Sequence, residues 1–135
     1  MRQELGRHEE ALINAFILPS KKARYLSLLE SKKGRIKFLS KLDHFSDLDP
    51  RYVKAILPND QTIEGIVPLL EKKGAPSLCH LISSNDEIDN QDMFLAEAVE
   101  KVLGMGMGTF ISCIPGKLAY FEGEDENERL LLERL

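Results

Sequence analysis

The stretch TFISCIPGKLAYFEGE, residues 109–124, constrains the fold of this chain more than any other part of it. Two apolar runs, rich in β-branched and aromatic residues, flank Pro115 and Gly116. Pro followed by Gly at the centre of a four-residue turn favours type II, because Gly accepts a positive φ there without steric cost. The stretch therefore predicts a β-hairpin. Because both strands are apolar on both faces near the turn, we expect helices to cover the sheet.

The rest of the C-terminal half predicts one more strand and three helices. The run SLCHLIS, 77–83, lies between turn-forming residues and predicts a strand. Apolar spacing predicts helices at 62–73 and 95–103, and the acidic tail 124–135 predicts a last helix. The expected order is strand, helix, hairpin and helix, with about three strands in a small mixed sheet.

The N-terminal half is mainly helical by its pattern. Apolar residues recur at helical spacing in three stretches between residues 9 and 42, which predicts three short helices. Ser20 and Ser31 stand where N-caps of the second and third helix are expected. The segment 50–56 fits either a single helical turn or a short strand, and the sequence does not decide between them.

Length and composition indicate one folded α+β domain, with its N-terminal helices packed on the sheet. A chain of 135 residues with 43% hydrophobic and 30% charged residues has the size and composition of one soluble domain. We expect a mainly helical half at 1–58 and a mixed α/β half at 59–135. The first ten residues contain no apolar stretch of the signal-peptide type, and no apolar run approaches the ~20 residues needed to cross a bilayer. The sequence thus predicts a cytoplasmic protein without a membrane partner.

The two cysteines, Cys79 and Cys113, each lie inside an apolar, strand-like run. Such a pattern predicts reduced, buried, structural thiols. If the two strands pair, the thiols are expected to lie close enough to oxidise in air. A functional disulfide is disfavoured, because cytosolic proteins rarely keep one.

The charge is strongly polarised along the chain. The net charge is −4, but residues 1–56 carry twelve basic and seven acidic residues, and residues 57–135 carry six and fifteen. Most of the positive excess lies at 21–41, where Glu30 is the single acid. This pattern predicts one of three roles: a solvated helix surface, a surface that pairs with the acidic C-terminal half within the chain or between subunits, or a nucleic-acid-binding surface. The candidate nucleic-acid-binding residues are Lys21, Lys22, Arg24, Lys32, Lys33, Arg35, Lys37 and Lys41.

Five polar residues are the candidates for catalysis. His44, Asp47, Asp49 and Arg51 are clustered in sequence, and a carboxylate beside a histidine can tune its pKa for acid–base work. Simpler roles are favoured, with Asp49 as a helix cap and Arg51 as an ion-pair partner. His80, in the predicted strand, is expected to be a hydrogen-bonded core or edge residue. His8, with Glu9 and Glu10 beside it, has the pattern of solvated helix surface.

Neither a metal nor a cofactor is expected. The acidic loop 84–92 lacks the ligand spacing and central Gly of a calcium loop, and no Cys or His pair has zinc spacing. The run GMGMG, 104–108, precedes a strand, whereas a phosphate-binding loop follows one and opens a helix. We expect Gly104 to end a helix and Gly106 or Gly108 to permit close backbone packing. A ligand-binding role for this loop remains the alternative.

Two motifs carry a family resemblance. At DHFSDLDPRY, 43–52, and at GMGTFISCIPGKLAYFEGE, 106–124, the chain resembles a family of small, uncharacterised bacterial proteins known as a domain of unknown function. The resemblance spans most of the chain. It implies a bacterial cytosolic protein and no particular activity, ligand or catalytic residue.

Three functional hypotheses follow, in decreasing order of preference. The first is a small cytosolic binding or regulatory domain that acts through a protein partner or as a homodimer, because no nucleophile, metal set or phosphate loop is complete. The second is nucleic-acid binding through the basic helices of 21–41. The third is a small enzyme that uses the cluster around His44.

Overall fold

The computed structural model describes residues 7–125 and 128–134. Within them lie five α-helices and six strands, and the strands form one antiparallel sheet. The helices are α1 Arg7–Phe16, α2 Lys22–Leu29, α3 Lys32–Leu39, α4 Ile63–Lys72 and α5 Leu95–Val102. The strands are β1 Val53–Ala55, β2 Leu78–Ser83, β3 Asp92–Phe94, β4 Thr109–Ile114, β5 Leu118–Glu122 and β6 Arg129–Glu133. Their order in the sheet is β1-β6-β5-β4-β2-β3.

The predicted hairpin is confirmed and forms the centre of the sheet. β4 and β5 pair in antiparallel register, with Phe110 opposite Phe121. The turn between them closes through a hydrogen bond of 2.9 Å from the Lys117 amide to the Ile114 carbonyl. Gly116 has a φ of +74°, the conformation that a type II turn requires at this position.

Helices cover both faces of the sheet, as the apolar character of the hairpin predicts. On one face, α1, α2 and α3 bury a cluster that includes Phe110 and Phe121. On the other, α4 and α5 bury a cluster that includes Ile111 and Tyr120. Because side chains alternate along a strand, neighbouring residues of β4 and β5 contribute to opposite clusters. We call these the α1–α3 face and the α4–α5 face.

The α+β class is confirmed, but the expectation of about three strands in a mixed sheet is wrong. The sheet has six strands, all antiparallel. The segment 50–56 contains both of the alternatives considered for it, a 3-10 turn at Pro50–Tyr52 followed by β1. β1 and β3 have three residues each, which is too short for an alternating apolar pattern to be recognised.

The predicted C-terminal helix is also wrong where the structure describes it. β6 pairs along its whole length with β5, and β1 pairs with it on the other side. Leu130 and Leu132 contact the α1–α3 face, and Leu131 lies in the α4–α5 cluster. A strand covered on both faces needs such a continuous apolar run. Residues 126–127 and 135 of the predicted helix lie outside the described residues.

The helix caps are a mixture of confirmed and corrected predictions. Ser31 caps α3, and its hydroxyl accepts a hydrogen bond of 3.0 Å from the Gly34 amide. Ser20 does not cap α2, because it lies inside a 3-10 turn at Pro19–Lys21 and α2 has no side-chain cap.

Among the described helices, none combines the length and the apolar character that spanning a bilayer requires.

Candidate functional site

The exposed cations of α2, α3 and their flanking turns form the surface that we call the basic face. Six of its residues are exposed and Lys22 is half-buried. In the described part of the chain, none of their side chains takes part in an ion pair or a hydrogen bond. The basic face consists of Lys21, Lys22, Arg24, Lys32, Lys33, Lys37 and Lys41.

The positions of these cations oppose the stability of the helices that carry them. The first turns of α2 and α3 contain no acid, and instead contain Lys22, Arg24, Lys32 and Lys33. A cation at a helix N-terminus is unfavourable because that end of the helix dipole is itself positive. Lys33 and Lys37, four residues apart on α3, add like-charge repulsion. A bound anion would remove both penalties at once.

Arg35 belongs to the predicted nucleic-acid-binding residues, but the structure places it in a different site. Its guanidinium forms two hydrogen bonds to Glu9, of 2.6 and 2.9 Å, and two to Asp89, both of 2.9 Å. The side chain is 18% exposed. Because its donors are already used by carboxylates, Arg35 is not part of the basic face.

Glu9 is the centre of this buried ion-pair network, which joins α1 to α3 and to the sheet. The network also includes His80, whose Nε2 is 2.8 Å from Glu9 and whose Nδ1 is 2.6 Å from Asp92. His80 is thus a buried, hydrogen-bonded residue of the sheet, which is the core alternative of the sequence prediction. The expectation of solvated surface is wrong for Glu9, which is 3% exposed, and for His8, which stacks on His80 and contacts Ser112.

Electrostatics in the network favour ionised Glu9 and protonated His80. Burial alone would raise the pKa of Glu9, but hydrogen bonds from His80 and Arg35 outweigh it and lower that pKa. Burial alone would lower the pKa of His80, but hydrogen bonds to Glu9 and Asp92 raise it. The pKa of His8 is lowered by burial and by the neighbouring His80.

We expect the stability of the protein to fall as the pH rises above about 6.5, because the pKa of His80 is raised by its acidic partners. Because the pKa of His80 is higher in the folded state, protonated His80 makes its full contribution to stability below the unfolded pKa of about 6.5. This contribution is lost as the pH rises through the folded-state pKa. Glu9 acts in the opposite sense, so its contribution is lost as the pH falls. His8, with its lowered pKa, opposes folding below its ordinary pKa.

Urea unfolding across the pH range, compared between the wild type and His80→Gln, isolates the His80 contribution. The wild type should lose stability relative to the variant as the pH rises above about 6.5. A difference between the two proteins that does not change with pH would contradict the assignment of His80 as the titrating group.

The five candidate catalytic residues do not converge. His44 and Asp47 line one cavity of about 200 Å³, together with Tyr25, Ser40, Lys41, Phe45 and Ser46. Asp49 is buried and pairs with Arg51 at 2.7 Å, and it caps the 3-10 turn as predicted. His80 belongs to the buried ion-pair network. In the cavity, the Tyr25 hydroxyl donates a hydrogen bond to Asp47, and burial and that bond raise the pKa of Tyr25 to about 12. The geometry gives no support to a catalytic cluster of all five.

His44 also lies near acidic residues of the segment that follows β5. Its ligand atoms and those of Asp125 and Glu128 all lie within 4.8 Å of one another. His44 Nε2 is 2.5 Å from Glu124, and these two side chains are 71% and 50% exposed. Exposed acidic groups of this kind are common on protein surfaces, so the arrangement does not by itself indicate a metal site.

The Gly-rich run 104–108 is held at both ends by carboxylates, the buried Glu122 and the partly buried Asp43. The Gly104 amide donates to Glu122 at 2.8 Å, and the Gly108 amide donates to Asp43 at 2.7 Å. The prediction of close backbone packing is confirmed for Gly108, where an added Cβ would lie 2.1 Å from the Leu42 carbonyl. Among the described residues, these contacts give the run a structural role as the connection between α5 and β4.

Sequence patterns did not indicate the environment of Glu122. Its side chain is 1% exposed, accepts a hydrogen bond of 2.6 Å from Tyr120, and lies 3.6 Å from Arg129 Nε. Burial raises the pKa of Glu122 even though the hydrogen bonds from Tyr120 and Gly104 act against it. Arg129 Nε is buried and has no hydrogen-bond partner among the residues that the structure describes. This cluster attaches the Gly-rich run to the sheet.

Comparison of the chain with protein-family models, with curated proteins and with solved structures gives no match. The assignment of a function therefore rests on geometry and charge.

Proposed function

We propose that this protein is a nucleic-acid-binding domain and that the basic face on α2 and α3 contacts the phosphate backbone. The observation that carries the proposal is a set of seven cations without ion-pair partners among the described residues, four of them in the first turns of two helices. Phosphates are favourable at helix N-termini, where amide groups and the helix dipole attract anions. Such a partner agrees with the cytoplasmic location that the sequence predicts.

The composition of the basic face supports a nucleic acid over an acidic protein. A protein interface needs a desolvated apolar centre. Ile36 is the one large apolar side chain on α2 and α3 that is more than half exposed among the described residues. Phosphate contacts need only charge and donors, and they bind without reading sequence. We therefore expect binding of duplex DNA or RNA with little sequence preference.

Charge reversal on α3 tests the proposal. The triple variant Lys32→Glu, Lys33→Glu, Lys37→Glu should bind a short labelled duplex roughly a hundredfold more weakly at about 50 mM salt, because three phosphate contacts are lost. The salt dependence should also become less steep by about 2.7 units of log K per log salt. Fluorescence anisotropy measures both quantities.

A matched control changes the net charge equally on other elements. Lys72, Lys101 and Lys117 lie on α4, on α5 and after the hairpin turn, and all three are exposed. Their reversal to Glu should change the affinity by no more than about threefold, since only the long-range field differs. Equal losses in the two triple variants, or no binding by the wild type at low salt, would refute the proposal.

Self-association is a second candidate, favoured by an apolar pair at the edge of the sheet. Leu78 and Phe94 are cross-strand neighbours on β2 and β3, and they are 51% and 65% exposed. A second copy of the chain could bury this pair together with the short edge strand β3. Sedimentation velocity should then show a dimer that Phe94→Glu converts to a monomer. A wild type that stays monomeric at high concentration would exclude this candidate.

A further inference from the structure

Two cysteine thiols face each other between adjacent strands beneath α4 and α5. Cys79 is in β2, Cys113 is in β4, and their Sγ atoms are 3.7 Å apart. His80 pairs with Ser112 at the end of the β2–β4 ladder, and Cys79 and Cys113 are the residues next to this pair on the two strands. Both residues are free cysteines with 1% exposure. A disulfide has an S–S distance of about 2.05 Å, so the sulfurs need to approach by less than about 2 Å.

The two thiols are chemically unequal. The hydrogen bond with Cys113 lowers the pKa of Cys79, although burial acts in the opposite direction. The same hydrogen bond and burial raise the pKa of Cys113. One thiolate in this pair is thus stabilised by the S–H group of its neighbour, and Cys79 is the sulfur that ionises first.

Both cysteines stand next to the ends of their strands, which gives a small oxidant a way in. Leu78, the first residue of β2, directly precedes Cys79 and is 51% exposed. Ile114, the last residue of β4, directly follows Cys113 and is only partly buried. Strand ends open locally at a much lower free-energy cost than the whole fold. A large reagent would need wider opening.

We propose that Cys79 and Cys113 are a reversible dithiol–disulfide pair whose oxidant is a hydroperoxide. The Cys79 thiolate attacks the peroxide, so that an S–O bond forms, the O–O bond breaks, and hydroxide or alkoxide leaves and takes up a proton to give water or an alcohol. Cys113 then attacks the sulfenic sulfur, the S–S bond forms, and the oxygen leaves as water with the Cys113 proton. Two electrons pass from the two thiols to the peroxide, and a dithiol reductant reverses the change. This pair is independent of the basic face.

Intact-mass spectrometry of the folded protein treated with hydrogen peroxide tests the proposal. The expected product is a monomer lighter by two hydrogen atoms, with no thiol available to maleimide after unfolding and with both thiols restored by dithiothreitol. Closing a loop of this length should raise Tm by on the order of 10 °C. The urea-unfolded chain provides the control for the reactivity of unprotected thiols.

Three results would overturn the proposal. These are thiols that stay reduced under conditions that oxidise the unfolded chain, products that gain oxygen without forming a disulfide, and a disulfide that forms only with loss of the native circular dichroism spectrum. All three results are measured on the wild-type protein, so the test does not depend on whether a cysteine variant folds. Cys113→Ala adds one check, because its remaining Cys79 should stop at the sulfenic acid, which dimedone traps.

Discussion

Replacement of Glu9 by Ala is expected to lower the free energy of unfolding by about 3 kcal/mol. Glu9 is buried and accepts hydrogen bonds from Arg35 of α3 and from His80 of β2. Its removal leaves the partly buried Arg35 and the buried His80 with one acidic partner each, Asp89 and Asp92. Because those partners remain, the loss should stay at the low end of the range of about 3–5 kcal/mol for a broken buried ion pair.

The neighbouring residue supplies the control for this prediction. Glu10 lies in the same helical turn but is exposed. Glu10→Ala should cost no more than about 1 kcal/mol, the usual worth of an acid near a helix N-terminus. Urea unfolding at neutral pH measures both variants. If the two substitutions cost the same, the ion pairs of Glu9 do not hold α1 and α3 against the sheet.

Replacement of Gly108 by Ala is also expected to cost about 3 kcal/mol. The added Cβ would lie 2.1 Å from the carbonyl carbon and oxygen of Leu42, which are backbone atoms and cannot move aside cheaply. The shift would also strain the hydrogen bonds that Asp43 accepts from the Gly108 amide and from Ser84. The connection from the basic helices to the central hairpin would therefore loosen.

Gly106→Ala separates this steric effect from backbone strain. Gly106 has a φ of +76°, and nothing lies within 4 Å of its added Cβ. Its replacement should cost only about 1–2 kcal/mol, the penalty for a left-handed residue with a side chain. Thermal unfolding of both variants gives the comparison. A smaller loss at Gly108 than at Gly106 would show that the contact with Leu42 is not tight.

The elements that could be predicted from the sequence are those fixed by local chemistry. The hairpin follows from Pro115 and Gly116 between two apolar runs, and α3 follows from the Ser31 cap. The C-terminal strand could not be predicted in this way, because three consecutive leucines fit a helix or a strand equally well. Only the pairing of β6 with β5, which is a tertiary contact, distinguishes the two.

The candidate sites show the same division between local and tertiary information. The exposed cations of α2 and α3 could be predicted from a local sequence pattern. The ion pairs of Arg35 could not, because its partners Glu9 and Asp89 are distant in sequence. One local signal for Glu9 did exist. It is three, four and seven residues before Leu12, Ile13 and Phe16, which places it on the buried side of α1.

The affinity of the wild-type protein for duplex DNA across a series of salt concentrations tests the central claim most directly. With about 0.9 units of slope for each phosphate contacted, three to seven cations of the basic face predict a log–log slope between about −3 and about −6. Binding should be detectable at about 50 mM salt and should weaken steeply towards about 200 mM. A slope near zero, or no binding at the lower concentration, would contradict nucleic-acid binding through α2 and α3.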